Sequence, residues 1–173
     1  MKTIPEIVHF FNDDKVFITT EDHSVFTFAD LKKQLDRTKD FFRKNKIQKT
    51  DTIAIVCENG PVMATSFLAT AGNCCAAPLN PSYTSSEFDF YLEDLKPKAL
   101  IVTEDSNSPV IEVAKKRKIK IFNLLVNSKD PSGKFCLTSK KENISNTINQ
   151  SDNSMPENIA LILHTSGTTS KPK

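Results

Sequence analysis

The chain has 173 residues, a formal net charge of +2, 38% hydrophobic residues and 25% charged residues. This is the composition of an ordinary globular protein, and the length is enough for one hydrophobic core. Positive and negative residues almost balance, with Lys+Arg 23 against Asp+Glu 21. The strong positive charge of a typical nucleic-acid-binding protein is therefore missing, and we expect one domain or part of one.

The sequence also argues against secretion and membrane insertion. No apolar run approaches the about 20 residues that a spanning helix needs, and Pro5 and His9 interrupt the region where a signal peptide would be apolar. The 4 cysteines include the adjacent pair Cys74 and Cys75 but no CxxC motif, which indicates neither a disulfide framework nor a zinc site. We expect an intracellular protein in a reducing compartment, with no transmembrane segment and no metal site, and with Cys74 and Cys75 as core thiols.

Glycine is scarce, with 4 in the chain, and no GxGxxG or Walker A sequence occurs. Both motifs need closely spaced glycines so that the backbone can approach a phosphate group. A Rossmann dinucleotide-binding fold and an ordinary P-loop NTPase are therefore disfavoured.

A hairpin and a helix are predicted near the start of the chain. Residues 16–20 and 24–28 are rich in Val, Phe, Ile and Thr, and a short polar turn separates them, which predicts two antiparallel strands. Thr27 and Asp30 then form a capping sequence ahead of apolar residues at helical spacing. A helix over residues 28–46 should follow.

From residue 52 the pattern alternates between strands and helices. The apolar runs have the length of strands that are covered on both faces, and they lie at 52–57, 76–80 (a short strand or loop), 99–103 and 119–126. Helices are predicted between them over 61–71, 84–95 and 109–118. This alternation predicts an α/β fold with a mostly parallel sheet layered with helices.

The character of the sequence changes after residue 126. Residues 127–158 are rich in Asn and Ser without apolar periodicity, which predicts a polar surface excursion, and the run 159–163 predicts a further buried strand. We divide the chain into a first α/β part at 1–126, the excursion at 127–157, and a strand with a polar loop at 158–173. The domain is expected to be incomplete at its carboxyl end.

Two charged groups are interpreted as solvent-facing. The run Lys115-Lys116-Arg117-Lys118 is interpreted as the solvated end of a helix, where cations suit the helix dipole, and not as a nucleic-acid patch. Asp89, Glu93 and Asp94 are interpreted as the wet face of helix 84–95 and not as a catalytic acid pair.

The last residues, HTSGTTSKPK, combine hydroxyl groups, one glycine and two lysines. Hydroxyls and backbone N–H groups donate to phosphate oxygens, glycine permits close approach, and lysine adds positive charge. The loop follows a predicted strand, and open α/β sheets bind ligands beyond the carboxyl ends of their strands. These features favour a nucleotide- or phosphate-binding loop over a merely polar one.

HTSGTTSKPK resembles the Ser/Thr/Gly-rich loop, usually TSGTTGxPKG, of the adenylate-forming superfamily, which includes acyl-CoA synthetases, 4-coumarate-CoA ligases, luciferases and non-ribosomal adenylation domains. TFADL at 27–31, IAIVCENG at 53–60 and APLNPSYTSSEFDFYLEDLKPKALIV at 77–102 also resemble the amino-terminal domain of that family. His164 stands where an aromatic residue is usual, and Ser170 where a second glycine is usual. Both departures are similar to the oxalate-CoA ligase branch.

The resemblance implies a two-step reaction: a carboxylate attacks the α-phosphate of Mg-ATP to give acyl-AMP and pyrophosphate, and the thiol of CoA then displaces AMP. It implies ATP, Mg²⁺ and CoA as cofactors, a small carboxylic acid as substrate, and a cytoplasmic or peroxisomal location. The implied contacts to the ATP phosphates are Thr165, Ser166, Gly167, Thr168, Thr169 and Lys173. His164 is either a residue of the substrate pocket or a structural residue at the end of a strand.

The family's adenine, ribose, hinge and catalytic-lysine motifs would lie beyond Lys173. We therefore expect an amino-terminal fragment of an acid-CoA ligase, most of all an oxalate-CoA ligase, that holds no catalytic residue and is inactive alone. The alternative is a truncated, non-catalytic remnant or binding protein with the same fold. An open reading frame that continues into those motifs would favour the enzyme, and a stop codon would favour the alternative.

Overall fold

The structure, a computed structural model, describes residues 2–21, 23–139 and 155–164. The helices are α1 Ile4–Phe10, α2 Phe28–Lys44, α3 Pro61–Ala71, α4 Ser85–Leu95 and α5 Val110–Lys116. The strands are β1 Val16–Thr19, β2 Val25–Thr27, β3 Thr52–Val56, β4 Cys75–Pro78, β5 Ala99–Thr103, β6 Lys120–Leu125 and β7 Cys136–Ser139. Among the described helices, none combines the length and apolarity needed to cross a membrane.

The hairpin and the helix that follows it are confirmed. β1 and β2 pair antiparallel, and the chain passes directly from β2 into α2. The Thr27 side chain caps α2 by accepting from the backbone N–H of Asp30, and the Asp30 carboxylate accepts from the backbone N–H of Thr27 at 3.0 Å. This reciprocal pair satisfies two N–H groups that a helix start leaves free.

The main sheet has five strands among the described residues, in the order β4-β3-β5-β6-β7. β3 pairs parallel with β4 and β5, and β5 pairs parallel with β6. β7 pairs antiparallel with β6 at one edge. The predicted α/β fold with a mostly parallel sheet is confirmed.

Both faces of this sheet are covered, which explains the continuous apolar runs of its strands. Along β3, Ile53 and Ile55 pack in a core cluster with residues of α1, α2 and α3. Ala54 and Val56 point to the opposite face and pack with residues of α4 and α5. All four side chains are at most 1% exposed, so β3 is buried on both faces.

Helix α1 was not predicted from the sequence, although its start carries a signal. The Glu6 carboxylate accepts from the backbone N–H of Thr3 at 2.7 Å, and the Thr3 hydroxyl accepts from the backbone N–H of Glu6 at 3.4 Å. Pro5 occupies the first turn, where its missing N–H costs nothing. The helix has 7 residues, which is too short for its apolar spacing to be recognised.

The predicted polar excursion at 127–157 contains a strand that its composition does not indicate. β7 lies within it, and Phe135 just before β7 is 2% exposed. The Thr65 hydroxyl of α3 also donates to the Gly133 carbonyl at 2.6 Å. Residues 133–139 are therefore anchored in the core, whereas the division of the chain at 126 and 157 stays a prediction.

The prediction of a buried strand at 159–163 was wrong. Within the described residues this segment makes a single parallel bridge, between Leu161 and Ala76 of β4. The Ala76 N–H donates to the Ala160 carbonyl at 2.9 Å, and the Ile162 N–H donates to the Ala76 carbonyl at 3.0 Å. Ile159 and Leu163 are 65% and 59% exposed. An apolar run shows strand-forming residues, but it does not show whether a neighbour covers both sides.

Candidate phosphate-binding site

The candidate site begins at the carboxyl edge of the parallel sheet. β3 and β4 end at Val56 and Pro78 on this edge, because they run in the same direction. Segment 159–164 runs parallel to β4 through the bridge at Leu161, so it also approaches this edge at His164. Ligands of open α/β sheets bind at such an edge, which supports the predicted location of the loop.

The residues predicted to contact the ATP phosphates lie outside the described residues. These are Thr165, Ser166, Gly167, Thr168, Thr169 and Lys173. Their contact with ATP stays a prediction, and Ser170 lies outside the described residues as well. The structure does describe the residue that immediately precedes them, His164.

His164 is held against helix α4 by a hydrogen bond and a ring contact. Its Nε2 lies 2.9 Å from Asp94 Oδ2, and a carboxylate accepts, so Nε2 carries the hydrogen. Its ring centroid lies 4.8 Å from that of Tyr91 in an edge-on arrangement. The His164 side chain is 10% exposed, whereas that of Asp94 is 64% exposed. Helix α4 therefore fixes the point at which the predicted loop begins.

Tyr91 belongs to a small aromatic group that continues away from His164. Its ring stacks on Tyr83 at 4.8 Å between centroids, and Tyr83 contacts the buried Phe88 at 5.7 Å. A side-chain hydrogen bond with Tyr83, together with burial, raises the pKa of Tyr91 to about 12. The Tyr91 hydroxyl is therefore neutral at physiological pH, and the ring serves as packing for His164.

Helix α4 is itself firmly positioned. Glu87 Oε2 accepts from the backbone N–H of Thr84 at 2.8 Å, and Thr84 caps the helix start. On the outer face, Asp89 and Glu93 accept from Arg117 at 2.7 and 3.0 Å. These bonds tie α4 to the end of α5.

The three acids that were interpreted as a wet face therefore all have partners. Arg117 binds Asp89 and Glu93, and its hydrogen bond lowers the pKa of the Asp89 carboxyl. His164 binds Asp94. These partners lie 28, 24 and 70 positions away in the chain, so helical spacing gave no signal for them. The sequence reasoning missed Asp94 in particular as a residue of the candidate site.

The cysteines do not supply a nucleophile here. Cys57, Cys74 and Cys75 are buried, which confirms the prediction of core thiols for Cys74 and Cys75. Burial raises the pKa of all three thiols, so they stay protonated and unreactive at neutral pH. Within the described residues, no group of three His, Cys, Asp or Glu side chains could hold a metal ion.

Comparison with known proteins decides the family. A family model described as AMP-binding enzyme matches residues 8–173. The chain belongs to the AMP-binding enzyme family. The predicted membership of the adenylate-forming superfamily, which was based on HTSGTTSKPK, is confirmed.

Two curated relatives within this family are oxalate-CoA ligases. The chain is 35% identical over 129 residues to that of Arabidopsis thaliana, which covers 73% of this chain and 24% of the relative. It is 30% identical over 188 residues to that of Saccharomyces cerevisiae, which covers 94% of this chain and 35% of the relative. The chain thus spans 24% to 35% of the length of these two AMP-binding enzymes.

Solved structures of AMP-binding enzymes share the fold. The ATP-bound MatB from Rhodopseudomonas palustris aligns with a TM-score of 0.73 and 23% identity, covering 99% of this chain and 33% of that one. The O-succinylbenzoate coenzyme A synthetase MenE from Bacillus subtilis, in complex with AMP, aligns with a TM-score of 0.69 and 20% identity, covering 100% of this chain and 41% of that one. At these identities the likeness shows the fold alone.

Proposed function

We propose that this chain is the amino-terminal part of an ATP-dependent acid-CoA ligase whose acid is oxalate. The observation that carries the proposal is the HTSGTTSKPK sequence, which follows a segment that runs parallel to β4 and whose first residue is fixed by Asp94. Identities of 35% and 30% to oxalate-CoA ligases support the choice of acid.

In this proposal the loop binds the β- and γ-phosphates of ATP. The hydroxyls of Thr165, Ser166, Thr168 and Thr169 donate to phosphate oxygens. Lys173 neutralises charge as pyrophosphate leaves, and Gly167 lets the backbone approach the phosphates. Such positioning and charge stabilisation are typically worth several kcal/mol in the transition state. Magnesium enters the site as part of Mg-ATP, where it offsets phosphate charge.

The oxygen nucleophile of the first step belongs to the acid substrate, and the sulfur nucleophile of the second step belongs to CoA. The protein therefore needs no nucleophilic side chain, which agrees with the buried, protonated thiols described above. The contribution of this chain is to place the phosphate loop at the carboxyl edge of the sheet. Adenine, ribose and CoA would be bound by the remainder of the ligase.

His164 and Ser170 carry the proposed preference for oxalate. Ser170 adds a hydroxyl and removes backbone freedom where relatives with TSGTTGxPKG have glycine, and His164 replaces an aromatic ring. The Nε2 of His164 is engaged by Asp94, and Nδ1 is the second polar atom of the ring. A compact dianion suits such polar surroundings better than an extended apolar acid does. The ligase would act in the cytoplasm or in peroxisomes.

A chimaera tests the proposed role of the chain. Here the chain replaces the matched segment of the Saccharomyces cerevisiae oxalate-CoA ligase, of which it covers 35%. The exchange of labelled pyrophosphate into ATP is then measured with and without oxalate. We expect oxalate-dependent exchange by the chimaera, and exchange at the buffer level by the isolated chain, because the adenine and ribose contacts are expected from the remainder of the ligase.

The matched control is the same chimaera with Lys173→Ala, which keeps the fold but removes the proposed phosphate contact. A folded chimaera with no exchange would favour a non-catalytic binding protein of the same fold. Exchange by the isolated chain above the buffer level would contradict the proposal that the remainder of the ligase is needed.

A further inference from the structure

A basic groove lies at the amino-terminal ends of β5 and β6, away from the carboxyl edge of the parallel sheet. It has a volume of about 520 Å³ and is formed where α4 and α5 end and β5 and β6 begin. Lys96, Lys98 and Lys118 line it, and Leu92 and Ile119 contribute apolar surface. We call this surface the lysine groove.

The three lysines have no negative partner. All three are exposed, and none of their ammonium groups makes an ion pair or hydrogen bond with another residue in the described ranges. One acid, Glu93, lines the groove, and it already accepts from Arg117 at 3.0 Å. The groove therefore presents three uncompensated positive charges.

Further lysines crowd the same edge. Lys120, the first residue of β6, donates to Asn45 Oδ1 at 2.8 Å. Burial lowers the pKa of the Lys120 ammonium, and repulsion from Lys46 and Lys98 lowers it further. Grouped like charges destabilise a folded protein. The dipoles of α4 and α5 favour Lys96 and Lys118 at their ends, but they give no reason for Lys98 and Lys120 at the starts of β5 and β6.

The backbone at two of the groove lysines is also unfavourable. Lys96 and Lys118 have φ angles of 44° and 59°, in the left-handed region that favours glycine. A cation near a helix end suits the helix dipole, but glycine is the residue that ends helices in this conformation without strain. Lysine is thus present at both positions in spite of its backbone cost.

We propose that the lysine groove binds a small, soluble molecule that carries two or more phosphate groups. A lysine ammonium is a compact charge that suits phosphate oxygens, and three of them around one concave surface match a polyphosphate group. The groove has a volume of about 520 Å³, and its α4 side is bounded by Glu93, which is held by Arg117. A compact ligand therefore fits better than a nucleic acid or a membrane surface.

Isothermal titration of the whole chain with inorganic tripolyphosphate at low salt tests this proposal. The Lys173→Ala background weakens the proposed loop site, and a loss of binding on adding Lys98→Gln in this background assigns the remaining binding to the groove and not to the loop. We expect binding that weakens as salt is added. Lys98→Gln should weaken it by about tenfold, the usual scale for one lost charge-assisted contact. Lys33→Gln, an exposed lysine on α2, should leave it unchanged.

The double variant K96G/K118G separates ligand binding from helix capping. Glycine relieves the left-handed strain, so the melting temperature should stay the same or rise while binding is lost. Lys98→Gln leaves both helix ends unchanged, so its effect on tripolyphosphate binding tests the proposal even if the double variant unfolds. Binding that both variants leave unchanged would overturn the proposal. So would an absence of tripolyphosphate binding in a chain that binds phosphoinositide vesicles or duplex DNA.

Discussion

His164 and Asp94 lie 70 positions apart in the chain, yet their side chains meet at 2.9 Å. Asp94 sits near the end of α4, and His164 is the first residue of HTSGTTSKPK. This contact joins α4, which covers one face of the sheet, to the start of the predicted phosphate loop. The loop thus begins from a fixed point.

Loss of the Asp94 carboxylate should make the segment that ends at His164 more mobile without unfolding the chain. Asp94→Ala removes the hydrogen bond to His164, and because Asp94 is 64% exposed, the cost in stability should be at most about 1 kcal/mol. Amide exchange at residues 160–164 should become faster. His164→Phe is the matched variant, since it keeps a ring against Tyr91 but loses the bond to Asp94. Unchanged exchange in both variants would show that α4 does not hold the loop start.

Thr65 and Thr70 give a matched pair on one helix. The Thr65 hydroxyl donates to the Gly133 carbonyl at 2.6 Å, so Thr65→Val leaves a buried acceptor unpaired and should cost about 1–3 kcal/mol. The buried hydroxyl of Thr70 has no hydrogen-bond partner among the described residues, so Thr70→Val should be neutral or stabilising. Urea unfolding of both variants measures the difference. Equal effects would mean that the Thr65 bond does not anchor the segment before β7.

The Asp89–Arg117 pair predicts a specific loss of stability in acid. The hydrogen bond from Arg117 lowers the pKa of the Asp89 carboxyl below the ordinary value of an aspartate. The pair therefore stabilises the fold at pH values above the unfolded pKa, and this contribution disappears as the pH falls through the lower folded pKa. Asp89→Asn should unfold more easily than wild type at pH 7, and the two should converge as the pH falls below the folded pKa of Asp89.

Urea unfolding across this pH range is the measurement. Asp36→Asn, which removes an exposed carboxyl of α2, gives the effect of neutralising one acid alone. A difference between Asp89→Asn and wild type that persists unchanged at low pH would show that the pair contributes no ionic stabilisation.

The sequence predicted most helices and strands of the fold, because apolar runs and helix-capping sequences are both local signals. β3 and β5 are apolar runs, and α2 and α4 begin with capping sequences that the structure confirms. The segments that it predicted wrongly depend on partners that are distant in the chain. β7 is a strand because β6 offers it an edge. Segment 159–163 stays partly exposed because, within the described residues, its strand pairing is a single bridge to β4.

In the candidate site, too, the sequence predicted what depends on neighbouring residues and missed what depends on distant ones. The loop was found from its own composition, since hydroxyls, glycine and lysine in one short stretch have a direct chemical meaning. Asp94 was read as a solvated residue because nothing within its helix pairs with it. Its role became visible only when the fold brought His164 to it.

Substitutions in the loop of the complete ligase should damage the reaction far more than the fold. Thr169→Ala or Lys173→Ala removes one phosphate contact, which is worth roughly 2–4 kcal/mol in the transition state, or two to three decades in rate. An exposed loop substitution usually changes stability by about 0.5 kcal/mol or less. Pyrophosphate exchange and melting temperature are measured in parallel. Equal losses in both would indicate that the loop is structural.

We expect the ligase that contains this chain to activate oxalate. CoA-thioester formation by that ligase is measured with oxalate, malonate, coumarate and palmitate under identical conditions. The highest kcat/KM is expected for oxalate, with a reduced preference for it in His164→Phe and Ser170→Gly. The highest kcat/KM with coumarate or palmitate would contradict the assignment of oxalate, and ATP-independent thioester formation would contradict adenylation itself.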